Sequence, residues 1–359
     1  MKILIIGGHL APALALIEAL PKDTQVLYVG RKHALEGDSA FSLEYQTIIK
    51  LEIPFEEIKT GRLQRKFTSH TISSLLKMPM GFASAFYILR KFCPDVIVGF
   101  GGYLSLPLGI AAKFLGIPLV IHEQALKPGL ANKILAKFAD KICVSWSETL
   151  PFFPKNKTTL TGLPIRQLST LNSQFSTPKG FPLVYITGGS QGSHFINTLV
   201  EQSLTELTQK FSIIHQTGDA KEYGDFDRLD ERKSDRYMPI KFVDPAYVGT
   251  TINKASLVIS RCGINTIAEL IQFKKPALLI PIAYLKEQAD NALFFESLGA
   301  GRIFLQKDST SQKFVQVINE MFVSLDSYKQ NVNRASSLTR ENSAHNLIEV
   351  IKNVSTEKK

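Results

Sequence analysis

Ser260-Arg-Cys-Gly-Ile-Asn-Thr-Ile-Ala-Glu269, followed by Pro281-Ile-Ala-Tyr-Leu-Lys-Glu-Gln288-Ala-Asp-Asn291-Ala, is the stretch that decides the fold class. The apolar run from Ala255 to Ile259 predicts a buried strand that leaves through a Ser/Gly turn into a helix opening near Asn265. Pro276 to Ile282 predicts a second strand, ending in a polar loop that bears amide side chains. Two strand ends that deliver polar groups to one carboxyl edge are how open α/β sheets build a nucleotide site. The free N–H groups and the positive end of the helix suit a diphosphate. Glu269, one turn in, can accept both hydroxyls of a ribose, and Gln288 and Asn291 can donate to and accept from sugar hydroxyls. Taken alone, the stretch also fits an ordinary βαβ unit with a solvated loop.

The pattern recurs outward in both directions. In the first half, apolar runs at Ile3–Ile6, Gln25–Val29, Asp95–Val98, Leu119–Ile121 and Lys141–Val144 predict buried strands. Helical spacing at about Pro12–Leu20, Ser69–Phe92, Leu106–Leu115 and Gly129–Phe138 fills the gaps. Pro151-Phe-Phe-Pro154 through Pro182 interrupts the alternation, and then it restarts. Strands are expected at Pro182–Thr187, Phe211–Thr217, Ile240–Val243, Ser256–Ser260 and Ala277–Pro281, with a helix at Phe195–Gln209. The fold class is α/β, with two Rossmann-like domains: residues 1–160, residues 161–340, and a C-terminal helix and tail over 341–359 for which packing back on the first domain is one option. Asn353 to Lys359 is expected to fray.

A chain of 359 residues exceeds one typical core, which agrees with two domains. Its three cysteines, Cys93, Cys143 and Cys262, are odd in number and lack CxxC spacing. That argues against a disulfide framework or thiolate metal site and for a reducing compartment. The seven histidines show no HExxH-like spacing, so no metal is expected. The start, Met1-Lys-Ile-Leu-Ile-Ile-Gly7, is too short for a signal core, and the most apolar segment, Gly102 to Ile121, is broken by Pro107, Lys113 and Pro118, so no spanning helix is expected.

The net charge of +10 is uneven. Lys59, Arg62, Arg65, Lys66, Lys77, Arg90 and Lys91 fall in a segment without acids, interleaved with Leu75, Leu76, Met78, Met80, Phe82, Phe86, Tyr87 and Leu89. Basic and apolar residues together suit an anionic bilayer surface, where each Lys or Arg contributes about 1 kcal/mol. A core helix with a solvated basic face fits equally. No nucleic-acid motif accompanies the patch, so no nucleic-acid partner is expected.

Several further strand ends carry polar or glycine-rich turns. Gly188-Gly-Ser-Gln-Gly-Ser193 opens a helix, and its Ser190 and Gln191 add donors where negative charge would sit, although the loop is neither GxGxxG nor a P-loop. Arg166, in Gly162-Leu-Pro-Ile-Arg166, either clamps a phosphate or makes a structural ion pair. Val98-Gly-Phe-Gly-Gly-Tyr103, with Gly101 and Gly102, could hold a second anionic group. Ile121-His-Glu-Gln124 ends a strand in three polar residues, of which His122 and Glu123 are acid/base candidates or a buried structural pair. Gly7-Gly8-His9 puts a histidine at a helix N-terminus, where it is either a neutral base or a cap.

The order of these motifs resembles the MurG family over nearly the whole chain: Gly-Gly-His, Val-Gly-Phe-Gly-Gly-Tyr, Ile-His-Glu-Gln, Gly-x-Pro-x-Arg, Gly-Gly-Ser-Gln-Gly, Ser-Arg-Cys-Gly-x-x-Thr-x-x-Glu and Gln-x-x-Asn-Ala. That family is a set of peripheral-membrane, inverting hexosyltransferases of the glycosyltransferase family 28 type. They move N-acetylglucosamine from UDP-N-acetylglucosamine to lipid I, making lipid II for peptidoglycan. The resemblance implies a GT-B architecture with two domains facing a cleft, and no cofactor or metal beyond the UDP-sugar substrate. It further implies the cytoplasmic face of an anionic membrane. Carried over by position, Arg166, Ser190 and Gln191 meet the donor, Val243 lies near the uracil, and Ile264, Asn265, Thr266, Ile267, Ala268 and Glu269 hold diphosphate and ribose. Gln288 and Asn291 read the sugar. On the side of the lipid-linked acceptor stand Gly7, Gly8, Gly101, Gly102, Tyr103 and Gln124, with His9 and Glu123 as catalytic candidates, His9 first. Two departures stand out: the first loop lacks about three residues, including the family's threonine, and Ala125 replaces an asparagine after His-Glu-Gln.

Overall fold

A computed structural model describes residues 1–33, 41–58, 60, 78–165, 180–219, 221–340 and 342–357. The chain divides into two compact units, Met1–Arg166 with Arg340–Lys359, and Gln167–Thr339. Each is built on one sheet, and among the described residues every strand pair is parallel.

In the first unit, β1 (Lys2–Ile6), β2 (Gln25–Gly30), β3 (Phe55–Glu57), β4 (Val96–Gly99), β5 (Leu119–Glu123), β6 (Lys141–Val144) and β7 (Thr158–Leu160) lie in the order β3-β2-β1-β4-β5-β6-β7. Alternate residues of each strand enter opposite cores. Leu4 and Ile6 join Ile97, Leu119, Ile121, Ala111 and Leu135 on one face. Ile3 and Ile5 join Val96, Val98, Val120 and Cys143 on the other, where the helix Ser343–Glu357 closes the layer with Leu347, Ile348, Ile351 and Val354. Burying each such Leu or Ile contributes roughly 1.5–3 kcal/mol. The expected fraying from Asn353 is therefore not observed through Glu357: Val354, at 3% exposure, anchors the last turn.

In the second unit, β8 (Leu183–Thr187), β9 (Ser212–Gln216), β10 (Tyr237–Ile240), β11 (Leu257–Ser260), β12 (Ala277–Leu279) and β13 (Gly301–Ile303) take the order β10-β9-β8-β11-β12-β13. The strand expected at Ile240–Val243 lies three residues earlier, and Val243 is in the loop beyond it. The strand tolerates Pro239 because it pairs on one side only, with β9.

Strand order reverses between β1 and β4 in the first unit and between β8 and β11 in the second. At such a switch the flanking connections leave toward opposite faces and open a crevice at the carboxyl edge. In the first unit that crevice receives Gly7–His9 and Gly99–Tyr103. In the second it receives Gly188–Ser193 and Arg261–Ile264.

Candidate active site

The helix Ile264–Gln272 starts from Gly263, whose extended φ of −64° and ψ of 144° come without a side-chain cap. Its first backbone bond is Ile267 N–H to Gly263 C=O, at 3.0 Å. The N–H groups of Ile264, Asn265 and Thr266 have no partner among the described residues, which is the anion-binding arrangement of a helix N-terminus. Asn265 adds a buried, unpartnered Oδ1. On the same helix Glu269 is half-buried, and its carboxylate has no hydrogen-bond partner among the described residues. Removal from water pushes its carboxyl up to about 7.

Other expected donor contacts are redistributed. The side chains of Ile267 and Ala268 are fully buried and their N–H groups belong to the helix, so neither can face a ligand. Ile264, at 5% exposure, has only its backbone to offer, and the side chain of Val243 is fully buried. Asn291, at 1% exposure, donates to the Cys262 carbonyl at 2.9 Å, so it braces the turn after β11 instead of reaching outward. Gln288 accepts from Ile282 N–H at 3.1 Å through Oε1, which leaves its Nε2 as the free donor. Ser190 and Gln191 are exposed on the glycine loop. Gly192 of that loop, at φ +78°, lies against the next one: a Cβ there would overlap the Thr217 carbonyl. Arg166 lies outside the described residues.

Arg261, in the turn after β11, is a further candidate that the motif spacing does not single out. Its Nη1 donates to Ile280 C=O at 3.0 Å and to Gln306 Oε1 at 3.3 Å, and its Nη2 donates to Ser193 Oγ at 2.6 Å. No carboxylate among the described residues pairs with it. A half-buried guanidinium held only by neutral acceptors leaves net positive charge among the loops after β8, β11 and β12.

In the first unit, His9 is the N-cap residue of the helix Leu10–Ala19, yet its ring caps nothing. Its Nδ1 lies 3.0 Å from the Phe100 carbonyl. A carbonyl only accepts, so Nδ1 carries the proton and Nε2 keeps the lone pair. Gly8 packs directly on Gly101 and Gly102, whose φ of +81° and +79° favour glycine. Tyr103 follows, with the Arg31 guanidinium 5.7 Å from its ring centre. The structure thus brings Gly7, Gly8, His9, Gly101, Gly102 and Tyr103 to one edge.

The polar end of β5 turns inward. His122 is fully buried with Nε2 3.0 Å from the Gly162 carbonyl, and burial lowers its imidazole to about 4. Glu123, at 2% exposure, accepts from Ala125 N–H, Gly129 N–H and Asn132 Nδ2, each at 3.0 Å. Burial raises its carboxyl, and those three bonds oppose the rise. Gln124, also at 2%, reaches Phe100 C=O at 3.4 Å. Glu123 therefore organises the Ala125–Asn132 turn with both of its oxygens, whereas His9 keeps a ring nitrogen without a hydrogen-bond partner among the described residues. Glu123→Gln should lower the unfolding free energy by about 1–3 kcal/mol, because one accepted bond becomes a donor–donor clash. A urea midpoint that falls at unchanged slope would register this.

The family model of the glycosyltransferase family 28 N-terminal domain matches residues 6–144, and that of the glycosyltransferase family 28 C-terminal domain matches residues 183–350. The chain belongs to glycosyltransferase family 28. It is similar to the UDP-N-acetylglucosamine–N-acetylmuramyl-(pentapeptide) pyrophosphoryl-undecaprenol N-acetylglucosamine transferase of Clostridium tetani, 31% identical with 99% of each chain covered. The Clostridium kluyveri enzyme of the same name is 32% identical, covering 98% of this chain and 99% of the relative. Among solved structures, Acinetobacter baumannii MurG shares the fold at a TM-score of 0.73, with 22% identity and 98% and 99% coverage. The UDP-GlcNAc 2-epimerase of Neisseria meningitidis, bound to UDP-GlcNAc, shares it at 0.64 with 14% identity, covering 98% of this chain and all of that one.

The first loop of this family 28 chain is braced by a distant carboxylate. Glu44, on the helix Leu43–Lys50, accepts from Gly8 N–H at 3.2 Å, Tyr28 OH at 2.6 Å and Arg31 N–H at 3.4 Å. Its carboxylate fills the space above Gly7, where any side chain would overlap it. The Gly8 N–H is thus already satisfied from within. Nothing in the spacing of residues 7–9 and 44 announces this. Among the described residues no group of three or more His, Cys, Asp or Glu could hold a metal ion.

Proposed function

We propose that this family 28 chain is an inverting N-acetylglucosaminyltransferase that uses UDP-N-acetylglucosamine and a lipid-linked N-acetylmuramyl (pentapeptide) acceptor, converting lipid I to lipid II. The observation that carries the donor assignment is the uncapped helix start at Ile264–Thr266 with the partnerless Glu269 carboxylate on the same helix. The acceptor follows from full-length similarity to enzymes named for it. The N–H groups of residues 264–266 cradle the diphosphate and Glu269 takes the ribose hydroxyls. Gln288 donates to the sugar through Nε2. An acceptor hydroxyl forms the new bond to the anomeric carbon as the bond to the diphosphate oxygen breaks and its electron pair leaves with UDP. His9 Nε2 takes the hydroxyl proton. Arg261, through the loops it holds, and the helix start stabilise the charge that builds on the diphosphate.

Glu44 bears on the acceptor, because a carboxylate on the Gly8 N–H favours an acceptor whose pyrophosphate binds elsewhere. The test is transfer of radiolabel from UDP-N-acetylglucosamine to a lipid I analogue beside acceptors with other lipids or sugars. Label in the lipid I product supports the assignment. UDP release with label only in another acceptor replaces it.

A peripheral membrane site is part of this reading. No helix among the described residues is long and apolar enough to cross a membrane. Lys59, Arg62, Arg65, Lys66, Lys77, Leu75 and Leu76 of the basic segment lie outside the described residues. Within the helix Met78–Phe92, Leu89 is core at 1% exposure, whereas Met80 and Tyr87, two turns apart on one face, are 63% and 65% exposed. Lys91 flanks them, paired with Glu56 at 2.8 Å, and Phe114 is 78% exposed on the helix Ser105–Phe114 that packs alongside. Co-sedimentation with anionic vesicles should fall with salt, and Met80→Asp with Tyr87→Asp should weaken it ~10-fold or more, as two apolar anchors are lost. Binding indifferent to both would remove the membrane from this face.

A further inference from the structure

Gln216, the last residue of β9, is 4% exposed, and it ties together groups far apart in the chain. Its Nε2 donates to the Gly189 carbonyl at 2.8 Å. A carbonyl only accepts, which fixes the orientation of the amide. Oε1 then faces two donors, Val243 N–H at 3.1 Å and Tyr185 OH at 3.2 Å. Gly189 belongs to the glycine loop after β8, and Val243 to the segment after β10. These partners are not ladder groups of the sheet. They are backbone atoms of two loops at the carboxyl edge, one on each side of the strand that carries Gln216.

We propose that Gln216 is a positioning residue for the nucleotide: one buried amide sets the glycine loop and the Val243 segment at a fixed separation and engages the Tyr185 hydroxyl before the donor arrives. This rests on the reading that the second unit binds a uridine diphosphate sugar. The loop is tied at two points, since Gly189 N–H donates to Thr187 Oγ1 at 3.0 Å while its carbonyl takes Gln216. Tyr185 stands within electrostatic reach of Glu269. Its proton is given to Gln216, and no hydrogen bond joins it to Glu269. A pocket ordered in advance loses less conformational freedom on binding, so the benefit falls on donor affinity and not on the chemical step.

The experiment compares wild type, Gln216→Leu, Tyr185→Phe and the double variant by calorimetry with UDP and by steady-state kinetics. Gln216→Leu should raise the UDP Kd and the donor KM ~10- to 100-fold, because two backbone groups and a hydroxyl lose their partner. The kcat at saturating donor and the acceptor KM should keep wild-type values. Tyr185→Phe should raise the UDP Kd about fivefold, and the double variant should be no weaker than Gln216→Leu, since both remove parts of one network. A merely structural glutamine would lower thermal stability and kcat without moving the donor KM selectively, and that outcome overturns the proposal. So does wild-type UDP affinity in Gln216→Leu. Should Gln216→Leu not fold, Tyr185→Phe decides alone, and an unchanged UDP Kd sinks the idea. Wild type that binds no UDP removes the underlying donor assignment and this proposal with it. Binding by wild type and Gln216→Leu alike removes only the role of Gln216.

Discussion

Replacing His9 by Ala should lower kcat by ~10²- to 10⁴-fold, the range set by loss of a positioned general base. The ring is held by Nδ1 on the Phe100 carbonyl, which leaves Nε2 basic and aimed away from that bond. UDP affinity by calorimetry should not change, because the groups proposed to hold the donor belong to the other unit of the chain. If His9→Ala turns over at the wild-type rate, the base is another group. Glu123 would be a poor replacement, since both its oxygens already accept internal hydrogen bonds.

Replacing Glu269 by Gln should weaken UDP-N-acetylglucosamine binding by ~10- to 100-fold at pH 8, as hydrogen bonds to an ionised acceptor contribute about 1.5–3 kcal/mol. UDP-N-acetylglucosamine is the ligand of choice, because its diphosphate has no group that titrates near neutrality. Burial holds the free carboxyl near 7, and in the proposed complex the ribose hydroxyls donate to its ionised form. Wild-type affinity should therefore fall as pH drops through 7, approaching tenfold per unit below it, whereas Glu269→Gln should bind with little pH dependence. Stability runs the opposite way. The carboxyl titrates higher in the folded chain than in the unfolded one, so between about 4.5 and 7 the folded state binds more protons and unfolding free energy declines as pH rises. Ligand-free Glu269→Gln should lack that decline and be more stable than wild type at pH 8, by about 1–3 kcal/mol. Calorimetric binding that is flat with pH in the wild type would show that Glu269 does not meet the ribose.

These two expectations began in the sequence, but each took its sharp form from contacts the sequence does not announce. Glu269 was legible because a strand, a Gly turn and a helix are local patterns. Its lack of a partner was not. Val243, Ile267, Ala268 and Asn291 were assigned by position in a motif, and the fold buries their side chains because the same helices and loops must also close the core. His122 and Glu123 read as two polar residues at a strand end. One packs under Gly162 and the other caps a turn, because Gly162, Ala125, Gly129 and Asn132 converge there.

The amino-acid order by itself determined two α/β units, the position of nearly every central strand and the edge of each sheet at which the site lies, because hydrophobic period and glycine turns act over a few residues. It did not determine the edge strands β3, β7 and β13, each three residues long and too short to show a period, or β10, where Pro239 hides an edge position. Only the tertiary structure decided which polar side chains are spent on the protein itself. Glu44 on the first loop, Gln216 between Gly189 and Val243, and Arg261 among Ser193, Ile280 and Gln306 each bond to partners distant along the chain. A hydrogen bond depends on distance and direction in space, and within each unit those are set only when its own sheet has formed and its switch point has gathered the loops of that sheet.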